Sequence, residues 1–107
     1  MKNKIKIIAE VAQGFEGDKK IADLLLSGAI KSGADIVKFQ LVYADEICSK
    51  NYEYFKFFKS LEMEYSVWLK LVKKAKKNKI KFFFDIFGKK SLKVAKKLRV
   101  DGVKITN

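Results

Sequence analysis

Short apolar runs alternate along the chain with longer segments in which apolar residues recur every three or four positions. The apolar runs are rich in Ile, Val and Phe, as in strands covered on both faces, and they occupy residues 5–11, 35–41, 80–87 and 101–107. The segments with helical periodicity lie between Asp18 and Gly33, at 64–78 and at 90–98. Strand and helix therefore alternate three times, which predicts a parallel sheet joined by helical crossovers.

The ends and buried faces of the helices are also marked in the sequence. Asp18 is a candidate N-cap of the first helix, and Gly33 is a candidate left-handed residue that ends it. The buried stripes are predicted at Ile21, Leu24, Leu25, Gly28 and Ala29, then at Tyr65, Trp68, Leu69, Val72 and Ala75, then at Leu92, Ala95 and Leu98. Residues 42–63 follow neither pattern, and their aromatic residues predict a short helix packed on the body of the domain.

Two α/β architectures share this alternation, an open doubly wound sheet and a (βα)8 TIM-type barrel. Doubly wound nucleotide-binding folds carry a glycine-rich loop after the first strand, and the GFEG of residues 14–17 has the wrong spacing for one. The predicted fold is therefore a partial TIM-type barrel, with about three βα units plus a fourth strand in one domain.

Each predicted strand has one wholly apolar face and a second face that becomes polar toward its C-terminal end. The polar positions are Glu10, Lys38, Gln40, Asp85 and Lys104. In a barrel these positions converge at the C-terminal mouth, where barrel active sites lie. Two lysines and an amide beside two carboxylates suit an anionic substrate, and either carboxylate is a candidate to move a proton or hold a sugar hydroxyl. The alternative is that these residues pair with one another as structural ion pairs.

Composition narrows the classes of partner. The 107 residues carry a formal net charge of +12, yet Arg99 is the only arginine. Because groove readers and phosphate clamps rely on arginine, the lysine excess indicates solvated helix faces, and no nucleic-acid partner is predicted. No apolar stretch is long enough to span a bilayer, so no membrane partner is predicted either. Cys48 is the single cysteine, which predicts a reducing cytoplasmic compartment, and the absence of histidine leaves no evident metal ligands.

Several stretches together resemble one enzyme family. In order along the chain they read IIAEVAQGFEGD, SGADIVKFQ, YADEI, FFFDIFGKKSLKVAKKL and VDGVKITN. They look like the N-terminal half-barrel of the N-acetylneuraminate (sialic acid) synthase family, whose members are transferases that condense phosphoenolpyruvate with N-acetylmannosamine or a related aminosugar. The resemblance implies that Lys38 and Lys104 hold phosphoenolpyruvate, that Gln40 lies beside them and that Glu10 contacts the sugar.

The resemblance carries further implications. Glu10 and Lys38 become the candidate catalytic residues, and the candidate substrate-binding residues are Lys38, Gln40, Asp85, Lys104, Thr106 and Asn107. Complete family members use a divalent metal, manganese or magnesium, whose histidine ligands lie on later strands. The family's Asn-His is replaced here by Gly14 and Phe15, which predicts the loss of a polar contact at the mouth. In the same way its Thr-Pro-Phe is replaced by residues 85–87, and its serine after the KI pair by residues 106–107.

Length limits what this chain is expected to do alone. A full barrel takes about 250 residues, so the 107 residues are interpreted as the N-terminal half of a synthase barrel, without the antifreeze-like domain that follows it in the family. Such a half is expected to be inactive alone, and a homo-oligomer is predicted because its strand edges are open. The alternatives are another phosphoenolpyruvate-condensing or aldolase-type barrel, or a catalytically silent half-barrel that pairs with another chain.

Overall fold

The computed structural model describes residues 5–106, which form four strands and five helices. In chain order the elements are β1 (Ile8–Ala12), α1 (Lys19–Lys31), β2 (Ile36–Gln40), α2 (Ala44–Ile47), α3 (Phe55–Ser60), α4 (Tyr65–Lys77), β3 (Lys81–Ile86), α5 (Lys89–Leu98) and β4 (Gly102–Ile105). The alternation predicted from the sequence is confirmed, although β1 begins three residues later than the apolar run does. Within the described residues, none of the helices has the length and apolar character needed to cross a membrane.

The four strands form one parallel sheet in the order β1-β2-β3-β4. A doubly wound sheet reverses its strand order at a switch point, whereas the strands of a barrel follow one another in the same direction. The observed order has no reversal, so it favours the barrel. The pairing is regular except in β1, where a bulge lies between Glu10 and Ala12 and Ala12 adopts a left-handed backbone conformation with φ of 51°.

Aromatic side chains fill the space between the sheet and the helices. Trp68 of α4 contacts Phe39 of β2 and Phe84 of β3 edge to face, with ring centroids 5.6 and 4.9 Å apart. Phe82 stacks on Phe39 at 5.2 Å, and all four side chains are almost completely buried. Because Phe39, Phe82 and Phe84 lie on the predicted apolar faces of β2 and β3, the prediction that these faces meet the helices is confirmed.

The ends of α1 form as the sequence predicts, whereas its buried face is only partly as predicted, with Ala29 buried and Leu24 not. The Asp18 carboxylate accepts hydrogen bonds from the backbone N–H groups of Lys20 and Ile21, and Gly33 has φ of 78°. The buried positions of α1 are Ala22, Leu26 and Ala29, whereas Leu24 is 69% exposed. Three consecutive leucines leave the phase of the helix ambiguous, and the predicted stripe was displaced from the true one. In α4 a similar shift buries Leu71 and leaves Leu69 half-buried.

The long connection after β2 contains two short helices instead of one. Its first helix, α2, is fixed by Glu62, whose carboxylate accepts a hydrogen bond of 2.9 Å from the N–H of Ala44. The second helix, α3, has no buried residue, and Tyr52, Tyr54 and Phe57 in and beside it are exposed. The prediction of a short aromatic helix packed on the body is therefore wrong for α3, because its aromatic residues do not reach the core.

The outer strands β1 and β4 leave apolar side chains in solvent. Ile8 is about half exposed, and Val103 and Ile105 on β4 are 39% and 75% exposed. The apolar face of β4 was predicted to meet the helices, and this is wrong for the described residues. The helices α1, α4 and α5 cover the first three strands, and no described helix follows β4 to cover it.

We predict that residues 1–107 associate with one another through these open edges, because unpaired strands and exposed isoleucines favour pairing with another chain. Ile105→Lys places a charge on the β4 edge and is expected to shift the chain toward monomer in sedimentation velocity. Leu24→Lys is the matched control, since Leu24 is comparably exposed but lies on α1. A monomeric unsubstituted chain, or equal effects of the two substitutions, would contradict the prediction.

Candidate functional site

Lys38 lies between two carboxylates on the face of the sheet opposite the helices. Its Nζ is 3.1 Å from Glu10 Oε1 and 3.2 Å from Asp85 Oδ1. The strand register creates this arrangement, because Glu10 pairs directly with Lys38, and Asp85 lies opposite Gln40, two residues farther along β2. Three strands therefore contribute one charged side chain each to a single cluster, as the alternation of their side chains predicted.

The three members of the cluster differ in exposure. The side chain of Asp85 is only 8% exposed and that of Lys38 12%, whereas that of Glu10 is 49% exposed. Oδ1 of Asp85 is buried, and its cationic partner among the described residues is Lys38, whose Nζ is 3.2 Å away. A buried carboxylate with a single cationic partner depends strongly on that partner.

Burial and the two carboxylates act in opposite directions on the pKa of Lys38. Burial alone would lower it, because a less hydrated ammonium group is harder to keep charged. Hydrogen bonding and Coulombic attraction from Glu10 and Asp85 exceed this effect and raise the pKa of Lys38 above its usual value of 10.5. Lys38 is therefore a fixed cation at neutral pH.

The other predicted site residues lie at the same end of the sheet. Gln40, Asp85 and Lys104 are aligned across β2, β3 and β4, with Lys104 exposed and Gln40 half-buried. The N–H of Thr106 donates a 2.9 Å hydrogen bond to the carbonyl oxygen of Ile86, which places Thr106 just beyond β4. Asn107 lies outside the described residues. The structure thus groups these residues at one end of the sheet, and their roles stay predictions.

The alternative raised by the sequence, structural pairing of the charged residues, describes the observed contacts of the cluster. Lys38 is already neutralised by Glu10 and Asp85. An anion that binds at Lys38 must therefore share the lysine with the carboxylates. The half-exposed Glu10 is the partner that such an anion displaces most easily, because its carboxylate is already partly hydrated.

One residue expected near the mouth lies elsewhere. Phe15 is completely buried, and its ring contacts Trp68 and Phe39 at 5.4 and 5.6 Å. Phe15 therefore belongs to the core between sheet and helices, and the predicted loss of a polar contact at the mouth through Gly14 and Phe15 stays a prediction. On the opposite face, the Phe83 ring lies against Gly102, where a Cβ atom would come within 2.6 Å of the ring. This ring forms an apolar surface at the level of Glu10 and Lys38.

Sequence reasoning missed Glu46, which holds the start of α5. Its carboxylate accepts hydrogen bonds from the N–H of Lys90 at 2.7 Å and of Ser91 at 3.3 Å. A Cβ atom on Gly88 would collide with this carboxylate, so a larger residue there would displace Glu46 from its present position. The available signal was that the first turn of α5 contains two lysines and no acidic residue, which favours an anionic cap from elsewhere in the chain.

Sequence reasoning also missed Gln13, which follows the bulge in β1. Its side-chain Nε2 donates to the carbonyl oxygen of Gln40 at 3.4 Å, and its Oε1 is buried without a donor among the described residues. Nothing in the local pattern of the sequence marks this residue, since the bulge that carries it to the end of β2 is not visible there.

A groove of about 890 Å³ lies between α1 and α4, and none of the predicted site residues lines it. It contains both signs of charge, including Lys20, Asp23 and Glu64. Within residues 5–106, no three His, Cys, Asp or Glu side chains come together in a way that would hold a metal ion. The charged cluster around Lys38 is therefore the better candidate site.

The model of the NeuB family matches residues 25–107 of the chain. An uncharacterized protein of Methanocaldococcus jannaschii is 35% identical over 101 residues, which cover 94% of this chain and 30% of that protein.

Two solved structures are similar in fold. N-acetylneuraminic acid (sialic acid) synthetase from Leptospira borgpetersenii serovar Hardjo-bovis, determined in complex with citrate, superposes with a TM-score of 0.86 at 29% identity, over 96% of this chain and 36% of that one. The spore coat polysaccharide biosynthesis protein spsE of Bacillus subtilis superposes with a TM-score of 0.75 at 25% identity, over 96% of this chain and 29% of that one. The chain thus spans about a third of the length of these relatives. The predicted fold class, a partial TIM-type barrel, is confirmed.

We predict that Lys38→Met lowers the free energy of unfolding by about 3 kcal/mol, because it leaves Asp85 buried without a cationic partner. Adding Asp85→Asn should restore most of this loss, since the neutral amide is less costly to bury than a lone carboxylate. Urea denaturation of the single and double variants measures both effects. Lys74→Met is the matched control, because it breaks the exposed pair with Asp23 and should cost only about 0.5 kcal/mol. A Lys38→Met chain as stable as the unsubstituted one would show that the cluster adds nothing to stability.

The raised pKa of Lys38 also predicts a pH dependence. A group whose pKa is higher in the folded than in the unfolded chain stabilises the fold fully below its unfolded pKa, and this contribution is lost as the pH rises through the folded value. The stability difference between the unsubstituted chain and Lys38→Met should therefore persist from neutral pH upward and shrink above 10.5. Urea denaturation of both chains as a function of pH measures it, and a difference that already disappears near neutral pH would be the opposite of this expectation.

Proposed function

The chain belongs to the NeuB family, and we propose on this basis that it forms the phosphoenolpyruvate-binding part of a sialic-acid-synthase-like enzyme. The reaction proposed for the complete enzyme is condensation of phosphoenolpyruvate with N-acetylmannosamine or a related aminosugar. The product is a nonulosonic 2-keto acid, and the enzyme is a transferase of carbohydrate biosynthesis. The similarity to a sialic acid synthetase and to a spore coat polysaccharide biosynthesis protein supports this class of reaction.

The observation that carries the proposal is the position of Lys38 at the C-terminal end of the parallel sheet. Barrel enzymes place their chemistry at this end. Lys38 is held by carboxylates on both neighbouring strands, and Lys104 lies in register with Asp85 on the next strand. Phosphoenolpyruvate carries a carboxylate and a phosphate, and the ammonium groups of Lys38 and Lys104 suit these two anionic groups.

The reaction defines what each residue is proposed to do. The methylene carbon of phosphoenolpyruvate attacks the sugar aldehyde, which forms the new C–C bond. Water then adds to the carbon that bears the phosphate, and inorganic phosphate leaves to give the keto acid. Lys38 and Lys104 neutralise the anionic groups, Gln40 donates an amide hydrogen bond beside them, and Glu10 contacts the sugar.

Three further residues have supporting roles in the proposal. Asp85 keeps Lys38 charged and oriented while Glu10 turns toward the sugar, because Asp85 is the more buried of the two carboxylates. Thr106, just beyond β4, is proposed to contact the substrate, and the same role is proposed for Asn107 from its position in the sequence.

The charge state of Lys38 bears on the runner-up reaction, a Schiff-base aldolase. Such an enzyme needs an unprotonated amine as nucleophile, which is favoured when burial or nearby cations lower the pKa. Around Lys38 the carboxylates have the opposite effect and raise the pKa. The arrangement therefore supports binding of an anion by Lys38 and gives no support to nucleophilic attack by it.

A divalent metal, manganese or magnesium, stays part of the prediction for the complete enzyme. The side chains within residues 5–106 do not fit such an ion, so no step above passes through it. A homo-oligomer and a cytoplasmic location also stay predictions for the complete protein.

Binding of phosphoenolpyruvate by the chain tests the proposal. We expect the unsubstituted chain to bind it in isothermal titration calorimetry, and the Lys38→Met/Asp85→Asn double variant to bind it about 10- to 100-fold more weakly, since a charge-assisted contact is lost. Lys104→Met should also weaken binding, and Lys74→Met, a lysine of α4 far from the cluster in sequence, should not. No measurable binding by the unsubstituted chain, or an equal loss in Lys74→Met, would overturn the proposed function.

A further inference from the structure

The backbone at the end of β1 departs from regular pairing. Glu10 pairs with Lys38 and Ala12 with Phe39, so that Val11 is the extra residue of a bulge. Ala12 has φ of 51°, a left-handed conformation that is uncommon for a residue with a Cβ atom. Bulges re-aim the side chains that follow them and are frequent beside active sites. Here the residue that follows is Gln13.

The Gln13 amide is only half satisfied. Its Nε2 donates to the carbonyl oxygen of Gln40, and its Oε1 is buried with no donor within the described part of the chain. Exchanging the two atoms would bring the amide oxygen against the Gln40 carbonyl oxygen, so the contact with Gln40 fixes the orientation. A buried amide oxygen is unfavourable unless a donor reaches it.

The position of Gln13 indicates which molecule brings that donor. Gln40 is aligned with Asp85 and Lys104, so the unpaired oxygen lies at the end of the sheet that carries the charged cluster. Phosphoenolpyruvate at neutral pH is almost fully ionised and offers acceptor oxygens only, which suit lysines and repel an amide oxygen. A sugar offers hydroxyl groups, and an N-acetylated aminosugar an additional amide N–H, which are donors.

We propose that Gln13 Oε1 accepts a hydrogen bond from a hydroxyl or amide N–H of the aminosugar and thereby selects this substrate without contributing to phosphoenolpyruvate binding. The inference rests on the proposed function and assigns the second substrate to a residue just after the bulge of β1, three positions after Glu10. Gln13 Oε1 has no donor among the described residues and is shielded from solvent, so the side chain must turn toward the sugar when the sugar binds.

Calorimetry with N-acetylmannosamine, in the presence of phosphoenolpyruvate, tests the assignment. Gln13→Met removes the acceptor at nearly constant length. We expect it to weaken sugar binding by about five- to tenfold, as for the loss of one neutral hydrogen bond, and to leave phosphoenolpyruvate affinity within about twofold. Asn78→Met is the matched control, because the Asn78 amide also donates to a backbone carbonyl, that of Lys74 at the far end of α4. It should change neither affinity.

A second measurement needs no substitution. In the unsubstituted chain, the side-chain amide signal of Gln13 in a ¹⁵N–¹H spectrum should shift on addition of N-acetylmannosamine and stay in place on addition of phosphoenolpyruvate alone. An unmoved signal with sugar bound would overturn the inference, as would a Gln13→Met variant with normal sugar affinity or equal losses for both ligands. A chain that binds phosphoenolpyruvate but no sugar overturns the role of Gln13 alone, whereas a chain that binds neither overturns the proposed function itself.

Discussion

Strand β2 is paired on both sides, and the side chains of this one strand organise both faces of the sheet. Phe39 points toward the helices and packs against Trp68, whereas Lys38 points the opposite way between Glu10 and Asp85. Because successive residues of a strand alternate between faces, a shift of pairing by one residue would exchange the two environments. It would bring the lysine into the aromatic core and the phenylalanine to the charged cluster. Both placements are unfavourable, which fixes the pairing register of β2. The register in turn fixes the alignment of the predicted site residues.

The same cluster serves stability and the proposed binding without contradiction. A lysine that stays charged must be compensated while no anion is bound, and Glu10 and Asp85 supply this compensation. Their unequal exposure separates the two roles. The buried Asp85 is the permanent partner, and the half-exposed Glu10 is the partner free to turn toward a ligand.

The sequence predicts those features of the fold and site that follow from the periodicity of a strand or helix. It does not predict the features that depend on the conformation or packing of a single residue. The grouping of Glu10, Lys38 and Asp85 followed from alternation, because parallel strands align their polar ends. The buried face of α1 did not follow from periodicity alone, since its consecutive leucines permit more than one helical phase. Packing selects the phase that buries Leu26 in the core. The bulge that re-aims Gln13 comes from one residue in a left-handed conformation, and alanine, unlike glycine, gives no warning of it.

The contact between Glu46 and α5 explains why the proposed anion site at this edge of the sheet is assigned to lysines and not to the N-terminus of α5. Exposed N–H groups at a helix N-terminus are a ready anion site in many α/β enzymes. In this chain the amides of Lys90 and Ser91 already hold the Glu46 carboxylate, and Gly88 provides the space for it. The interaction ties α2, and so the connection after β2, to the end of β3. Since these amides of α5 are occupied, the proposed contacts with the anion come from side chains on the strands themselves, Lys38 and Lys104.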